Sequence, residues 1–265
     1  MSESSPRLSA PAPLDPMEPL VPQWPVGHGV QALCSTRTGG VSSAPWDSLN
    51  LGDHVSDDPV AVAANRRIYA ARLGVRPVFM RQVHGTEVVE LDATTPDGIE
   101  ADACFTRQRG VACTVLVADC LPILLADTHA GVVAAAHAGW RGLVGAGGQG
   151  VLEAVMRPLD IGHTYAWLGP CIGPGAFEVG LIVKTAYEAH DSACARFFRP
   201  KSSGKWLADL PGLARHRLLG LGLTPDRIHG NDGGAAWCTV TQGSQFFSHR
   251  RDRVSGRFAA SIWLA

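Results

Sequence analysis

The sequence predicts an α/β chain of the α+β kind, with mixed β-sheets and flanking helices. Three observations carry this. The runs Val111–Ala118, Pro122–Ala126 and Gly131–His137 are rich in Val, Ile, Leu and Ala, as expected of central strands buried on both faces. Helical segments alternate with strands elsewhere, yet several strands follow one another directly, which fits a mixed sheet better than a regular doubly wound one. No repeat of fixed period and no Pro/Gly/Ser linker divides residues 21–265, so one domain is expected there.

The elements follow in order. Residues 1–20 are dense in proline with little to bury, and are expected to be a flexible tail. Gly29–Thr36 suits a first strand, followed by the turn-rich loop Thr36–Ser43. Asp57-Asp58-Pro59 is a helix start with a capping Asp and a first-turn Pro, and Gly74 closes the helix Val60–Leu73. Val78–Val83 and Glu87–Leu91 are expected to be strands joined by the turn His84-Gly85-Thr86. After the three central strands, Val144–Met156 should be a helix and Ala166–Leu168 a short strand. Leu181–His190 and Ala208–Leu219 should be helices, and Phe246–Arg251 and Arg257–Trp263 the last two strands.

Composition narrows the function. The chain has 265 residues and a mass of 28.0 kDa, with 46% hydrophobic and 18% charged residues, so a sizeable core is expected rather than disorder. The formal net charge is −1 without a Lys/Arg run, which argues against nucleic acid or an anionic membrane as partner. The Pro/Ser-rich start lacks the basic and apolar regions of a secretory signal, and Val111–Ala126 is broken by Asp119 and Pro122. A soluble, cytoplasmic protein is expected. Seven scattered cysteines without C-x-x-C fit reduced thiols.

Three residues stand out as one candidate metal site: His84 in RQVHG, Cys120 in VADCLP and His137 in AAAHAGWRG. Each lies at or beside the end of an apolar run, where sheets present side chains to a cleft. Two imidazoles and a thiolate suit Zn²⁺, with Cu²⁺ possible in the same place, and three ligands leave a fourth tetrahedral position open, as in catalytic sites. Alone, each would be ordinary packing; the glycines after His84 and His137 and the Pro after Cys120 set them apart. Asp119 is the acid nearest a ligand in sequence, a candidate proton carrier or a hydrogen-bonded strand-end carboxylate. Arg37 within TRTGGVS could complete an anion nest or sit in a solvated turn. SLNLGDH, with Asn50, could meet a sugar or merely close a loop, and Arg66 could reach a ligand or solvent. Arg141 is a candidate contact for anionic groups at a helix start. Gly145–Gly150 matches G-x-G-x-x-G, but no strand ends close before it and no acid follows at the required distance, so a nicotinamide site is rejected in favour of close packing.

Laid together, TRTGGVS, SLNLGDHVSDDP, NRR, QVHG, ADACFT, ADCLPILLAD, AAAHAGWRG, WLGPCIGPGAFEVG, GKWLADL and FFSHRRD…SGR…IWL resemble the YfiH-type laccase-domain family, also called polyphenol oxidase or multicopper-oxidase-like. The resemblance spans nearly all of residues 29–265. It implies a YfiH-like sandwich of mixed sheets, with a metal site on His84, Cys120 and His137. It also implies purine nucleoside chemistry: phosphorolysis of adenosine, inosine and methylthioadenosine, and deamination of adenosine. Some members are linked to peptidoglycan editing. Catalytic roles would fall on Cys120, His84, His137 and Asp119, and Arg37, Asn50, Arg66 and Arg141 would lie on the substrate side, with phosphate as co-substrate and a monomer or weak homodimer as the working form. Ser56, Gln242, Gln245 and Arg253 depart from the family pattern; Gly is usual at 56 and 253.

True multicopper oxidation is not expected, because ten His without any His-x-His cannot assemble a blue-copper centre plus a trinuclear cluster. Two other readings use the same three residues. One is a metal-free Cys–His hydrolase acting on cell-wall precursors; it would show one His bonded to Cys120 and the other remote. The other is a structural zinc site, which would need a fourth protein ligand.

Overall fold

The computed structural model describes residues 18–202 and 204–265. Of the expected flexible segment 1–20, residues 1–17 lie outside the described part. At Leu20 the chain is already held, exchanging two backbone hydrogen bonds of 2.8 Å with Cys34.

In chain order the strands and helices are β1 (Val30–Cys34), α1 (Pro59–Leu73), β2 (Arg76–Phe79), β3 (Val88–Glu90), β4 (Ala103–Thr106), β5 (Val111–Val117), β6 (Leu121–Asp127), β7 (Val132–Ala138), α2 (Trp140–Val144), α3 (Val151–Met156), β8 (Thr164–Leu168), β9 (Glu178–Gly180), α4 (Leu181–Glu188), β10 (Phe198–Ser202), β11 (Lys205–Ala208), α5 (Leu210–Gly220), β12 (Ile228–Gly230), α6 (His249–Asp252) and β13 (Phe258–Leu264). They form a four-stranded sheet β1-β13-β5-β2, a six-stranded sheet β12-β8-β6-β7-β4-β3 and a small sheet β10-β11-β9. Both larger sheets mix parallel and antiparallel pairs, as the sequence predicts.

Strand alternation explains how the layers stack. In β5, Cys113, Val115 and Val117 point into the space between the two large sheets, meeting Leu124, Ala126, Val133 and Ala135 of β6 and β7 and Phe258, Ala260 and Ile262 of β13. The opposite residues of β5 and β13, Ala112, Leu116, Ala259 and Trp263, pack against Tyr69 and Leu73 of α1. The other face of β6 and β7 (Leu121, Ile123, Leu125, Ala134, Ala136) packs on α3, α4 and α5. The result is helix on sheet on sheet on helix. Each of β5, β6 and β7 is buried along its whole length because both its faces are covered. A polar chain crosses the outer packing, Tyr69 Oη to Ser261 Oγ at 2.8 Å and on to Thr114 Oγ1 at 2.7 Å, so none of the three buried hydroxyls is left unpaired.

Local signals explain α1 well: Asp58 accepts from the Val60 N–H at 2.9 Å, Pro59 opens the helix, and Gly74 ends it at φ +72. Other expectations need correction. The segments around Val78–Val83 and Glu87–Leu91 form no hairpin: β2 joins the four-stranded sheet and β3 the six-stranded one, so residues 80–87 bridge the two layers. The single helix Val144–Met156 is two short helices, α2 and α3. Gly145 lies between them at φ +65, and a Cβ there would sit 1.9 Å from the Gln149 carbonyl. Of Phe246–Arg251, residues 246–248 are a buried loop and the rest opens the one-turn helix α6, because the backbone here serves the candidate site instead of a sheet.

Candidate metal centre

The three predicted ligands converge. One donor atom each from His84, Cys120 and His137 lies within 4.8 Å of the other two. The β6–β7 register explains the second and third: Leu121 faces Ala138 and Pro122 faces His137, which sets Cys120 and Gly139 at the open end of the same ladder. His84 arrives from the bridging segment 80–87 and turns with φ +63, an uncommon conformation for a residue with a side chain. Its ring stands edge-on to that of His137, with centroids 4.8 Å apart. His84 is exposed, Cys120 half-buried and His137 buried. Gly139 is required for space: a Cβ there would lie 2.9 Å from the His84 ring and 3.0 Å from the Cys120 sulfur.

One carboxylate organises two of the ligands. Asp102, fully buried, accepts from His137 Nδ1 at 2.8 Å. It also accepts the backbone N–H groups of Val83, His84 and Gly85 at 3.1, 2.9 and 2.7 Å, and its own carbonyl accepts from the His137 N–H at 2.7 Å. Because Nδ1 is committed to Asp102, the ring offers Nε2 to a metal, the arrangement in which a carboxylate fixes the tautomer of a ligating histidine. The donor set is borderline-soft and fits Zn²⁺ or a copper ion. Among the described residues no fourth Cys, His, Asp or Glu joins the group, so the closed tetrahedron of a structural zinc site is not formed.

The charges of the site oppose its burial. Burial pushes the Cys120 thiol up, but the charge of His137 and hydrogen bonds from both imidazoles outweigh it and bring the thiol down to about 6. Burial would lower His137, yet Cys120 and Asp102 hold it up at about 9. Burial also works against the Asp102 carboxylate, and its bonds to His137, Gly85 and Val83 keep it below the usual range. Without metal the pair is therefore a thiolate beside an imidazolium, ready to exchange one proton for a cation.

The trio lines a cavity of about 410 Å³. Met80, Leu116, Trp140, Ile172, Phe177 and Leu210 supply apolar wall, and His54, Arg141, His249, Arg250 and Arg257 supply cationic or ionisable groups. The second wall is tied down by Asp119. At φ +95, its carboxylate accepts from Thr239 Oγ1 at 2.6 Å, Ser248 Oγ at 2.7 Å and the Arg250 N–H at 2.7 Å. These bonds bring residues 239–250 alongside Cys120, and they correspond to the hydrogen-bonded alternative for Asp119.

The other predicted residues are placed differently. Arg141 lines the cavity, exposed, with its guanidinium 4.5 Å over the Trp140 ring. Arg37 lies outside it, bonded to the carbonyls of Asp47 and Gly243 and paired with the Asp47 carboxylate at 3.2 Å. Asn50 is fully buried and bonds Gly52, Asp57 and the Arg257 backbone. Arg66 donates to the Leu51 carbonyl and pairs with Asp53 at 3.1 Å. Asn50 and Arg66 thus brace the loop 49–54 that carries His54 to the cavity. Sequence reasoning missed Asp102, Arg257, His54 and His249. Asp102 had a readable signal, a lone acid inside ADACF, since a charge at the start of a buried strand must find partners. His54 and Arg257 sit in loops and His249 opens α6, and no sequence spacing reveals their meeting.

Comparisons agree with this architecture. A family model described as multi-copper polyphenol oxidoreductase laccase matches residues 31–265. A purine nucleoside phosphorylase of Pseudomonas aeruginosa is 48% identical, covering 92% of this chain and 98% of the relative. The Escherichia coli purine nucleoside phosphorylase YfiH is 46% identical over 92% and 98%. Among solved structures, a Neisseria meningitidis protein assigned to family DUF152 superposes with a TM-score of 0.85 at 42% identity, covering 93% of this chain and 98% of that one. YlmD of Geobacillus stearothermophilus gives 0.79 at 32% identity, covering 91% and 93%. The chain belongs to this laccase-like YfiH family.

Proposed function

We propose, from that membership and from the site, that the chain is a metal-dependent purine nucleoside enzyme. Its reaction would be phosphorolysis of adenosine, inosine or methylthioadenosine, with deamination of adenosine as a second activity. The relatives cited are named purine nucleoside phosphorylases. The observation that supports the same reading here is one cavity shared by three metal-ligating side chains, an apolar wall and three arginines. A flat base suits the apolar wall, and a phosphate suits the arginines.

In phosphorolysis a phosphate oxygen bonds to the ribose C1′ while the C1′–N9 bond breaks; the purine leaves with the bonding electrons and takes up a proton. When bound, the metal supplies Lewis-acid polarisation at the three ligands. The chain's part is to fix His84 and His137 through Asp102, to neutralise the incoming phosphate with arginines, and to exclude water from the base with Phe177, Leu116 and Met80. His249 and His54, on the same cavity, are the side chains assigned to deliver the proton. On this reading the protein acts on small molecules in the cytoplasm, as a monomer or weak homodimer and without a nucleic-acid partner. No helix among the described residues is long and apolar enough to cross a membrane.

The Cys–His hydrolase reading loses support, because both imidazoles lie beside Cys120 instead of one alone. Four-electron oxidase chemistry would need many more ligands than the two three-residue groups found among the described residues. The test is anaerobic metal analysis paired with product analysis on adenosine plus phosphate. Adenine with ribose 1-phosphate is expected from phosphorolysis and inosine from deamination; neither product from metal-loaded protein would remove the proposal.

A further inference from the structure

Arg257 is held at the cavity through both its backbone and its side-chain stem. Its N–H donates to Oδ1 of the buried Asn50 at 2.8 Å, and its carbonyl accepts from the Leu51 N–H at 3.0 Å. Its stem lies against Gly52, where a Cβ would come within 2.7 Å of the Arg257 Cγ. The SLNLGDH segment is therefore a mount for this arginine. Asn50 clamps the Arg257 backbone, Gly52 makes room for its side chain, and Arg66 braces the loop through Leu51 and Asp53.

The guanidinium held this way is part-buried and has no carboxylate within ion-pair distance among the described residues. Nη1 is spent on the Ser255 and Gly256 carbonyls at 2.8 and 3.0 Å, leaving Nε and Nη2 without an acceptor among the described residues. Asp119 and the Cys120 thiolate are the anionic groups whose fields reach it. Both are engaged elsewhere, Asp119 with three donors and Cys120 with the two imidazoles. Arg250 likewise spends only Nη1, on the Ala176 and Glu178 carbonyls, but its guanidinium also lies 5.6 Å over the Phe177 ring, and Arg141 is exposed over Trp140. A guanidinium withdrawn from water without a counter-charge is costly, and a ligand that supplies the charge removes that cost.

We propose that Arg257 is the principal anion-binding residue of the cavity, presenting Nε and Nη2 to a tetrahedral oxyanion, inorganic phosphate, beside the His84–Cys120–His137 trio. This subsite rests on the phosphorolysis reading for its role, but its existence is testable apart from catalysis. Calorimetry on the full-length, metal-loaded chain titrated with orthophosphate reads binding, and kinetics on adenosine read the two KM values separately. Arg257→Gln is expected to weaken phosphate binding and raise the phosphate KM by about 10- to 100-fold, with metal content and adenosine KM unchanged. Arg257→Lys recovers part of the loss, and Gly52→Ala, which displaces the stem, produces a smaller rise. Equal phosphate affinity in wild type and a folded, metal-replete Arg257→Gln overturns the assignment, as does a wild type that binds no phosphate. Should Arg257→Gln not fold, unchanged affinity in both Arg257→Lys and Gly52→Ala overturns it equally. Phosphate binding that is lost in the variant while wild type releases no adenine supports the subsite and removes the phosphorolysis reading instead.

Discussion

The two walls of the cavity are built by different means. The metal wall comes from the sheet: β6 and β7 set Cys120 and His137 by register, and Asp102 in front of β4 collects His137 and the His84 turn. The cationic wall comes from loops, residues 49–54 and 239–257, that meet only because Asn50 and Asp119 hold them. The metal wall thus hangs on the buried Asp102 and the cationic wall on the buried Asn50 and the half-buried Asp119, yet one wall is backed by strands buried along their whole length and the other is not. A rigid scaffold suits ligands that must meet to a few tenths of an ångström. Loops suit the contacts that choose a substrate.

That contrast can be broken or sharpened by measurement. The largest effect is expected from Cys120→Ala, which removes the thiolate: metal content should fall to background and adenosine turnover by at least about 10³-fold, with the circular dichroism spectrum retained. Turnover surviving in the metal-free variant would separate the chemistry from the metal wall altogether. Next, Asp102→Asn should weaken metal affinity by about 10- to 100-fold, seen in competition with a chelator, with the phosphate KM unchanged. Asp119→Ala should do the reverse, raising the phosphate KM while metal affinity stays within a few-fold. It should also cost about 3 kcal/mol of stability, because three donors lose a charged acceptor. If both variants impair both properties alike, the walls are one unit and the comparison fails.

The pH dependence tests the metal wall alone. Between about 6 and about 9 the metal-free site holds Cys120 as thiolate and His137 as imidazolium. Metal needs thiolate and neutral imidazole, so loading at a pH within that window should release about one proton. Below it the thiol gives up another, and above it His137 has already lost its own. Calorimetry in two buffers of different ionisation heat counts them. The smallest effect concerns backbone: Ser56 and Arg253 both sit at φ +64, and Ser56→Gly or Arg253→Gly should each stabilise the fold by about 1 kcal/mol, read as a rise in Tm.

What the sequence discloses follows the same division. The buried strands β5, β6, β7 and β13, the capped helix α1 and the three ligands are all legible, because burial on two faces and strand-end chemistry leave local marks. The sheet β10-β11-β9 is not: its strands are only three to five residues long, too short for a pattern to register, and Phe198–Ser202 is exposed after its first residue. The glycines that split α2 from α3 read as helix packing in the sequence, since a helical pattern on either side conceals a break. Ser56 and Arg253 are visible as departures from a family pattern, but only coordinates show that both lie where the chain turns left-handed. In the sequence Asn50 could meet a sugar or close a loop and Arg66 could reach a ligand or solvent; the structure shows both gripping the loop that positions Arg257 and His54, a relation between distant parts of the chain that no spacing rule encodes.

Position 139 shows how far stability and activity can come apart. Its torsions, φ −70 and ψ 161, are ones any amino acid adopts freely, and it caps a helix from outside. A survey of tolerated replacements by thermal melting alone would therefore score alanine there as harmless. The single methyl group would nonetheless press on the sulfur and a neighbouring imidazole, so such a protein could melt like its parent while losing its hold on the ion.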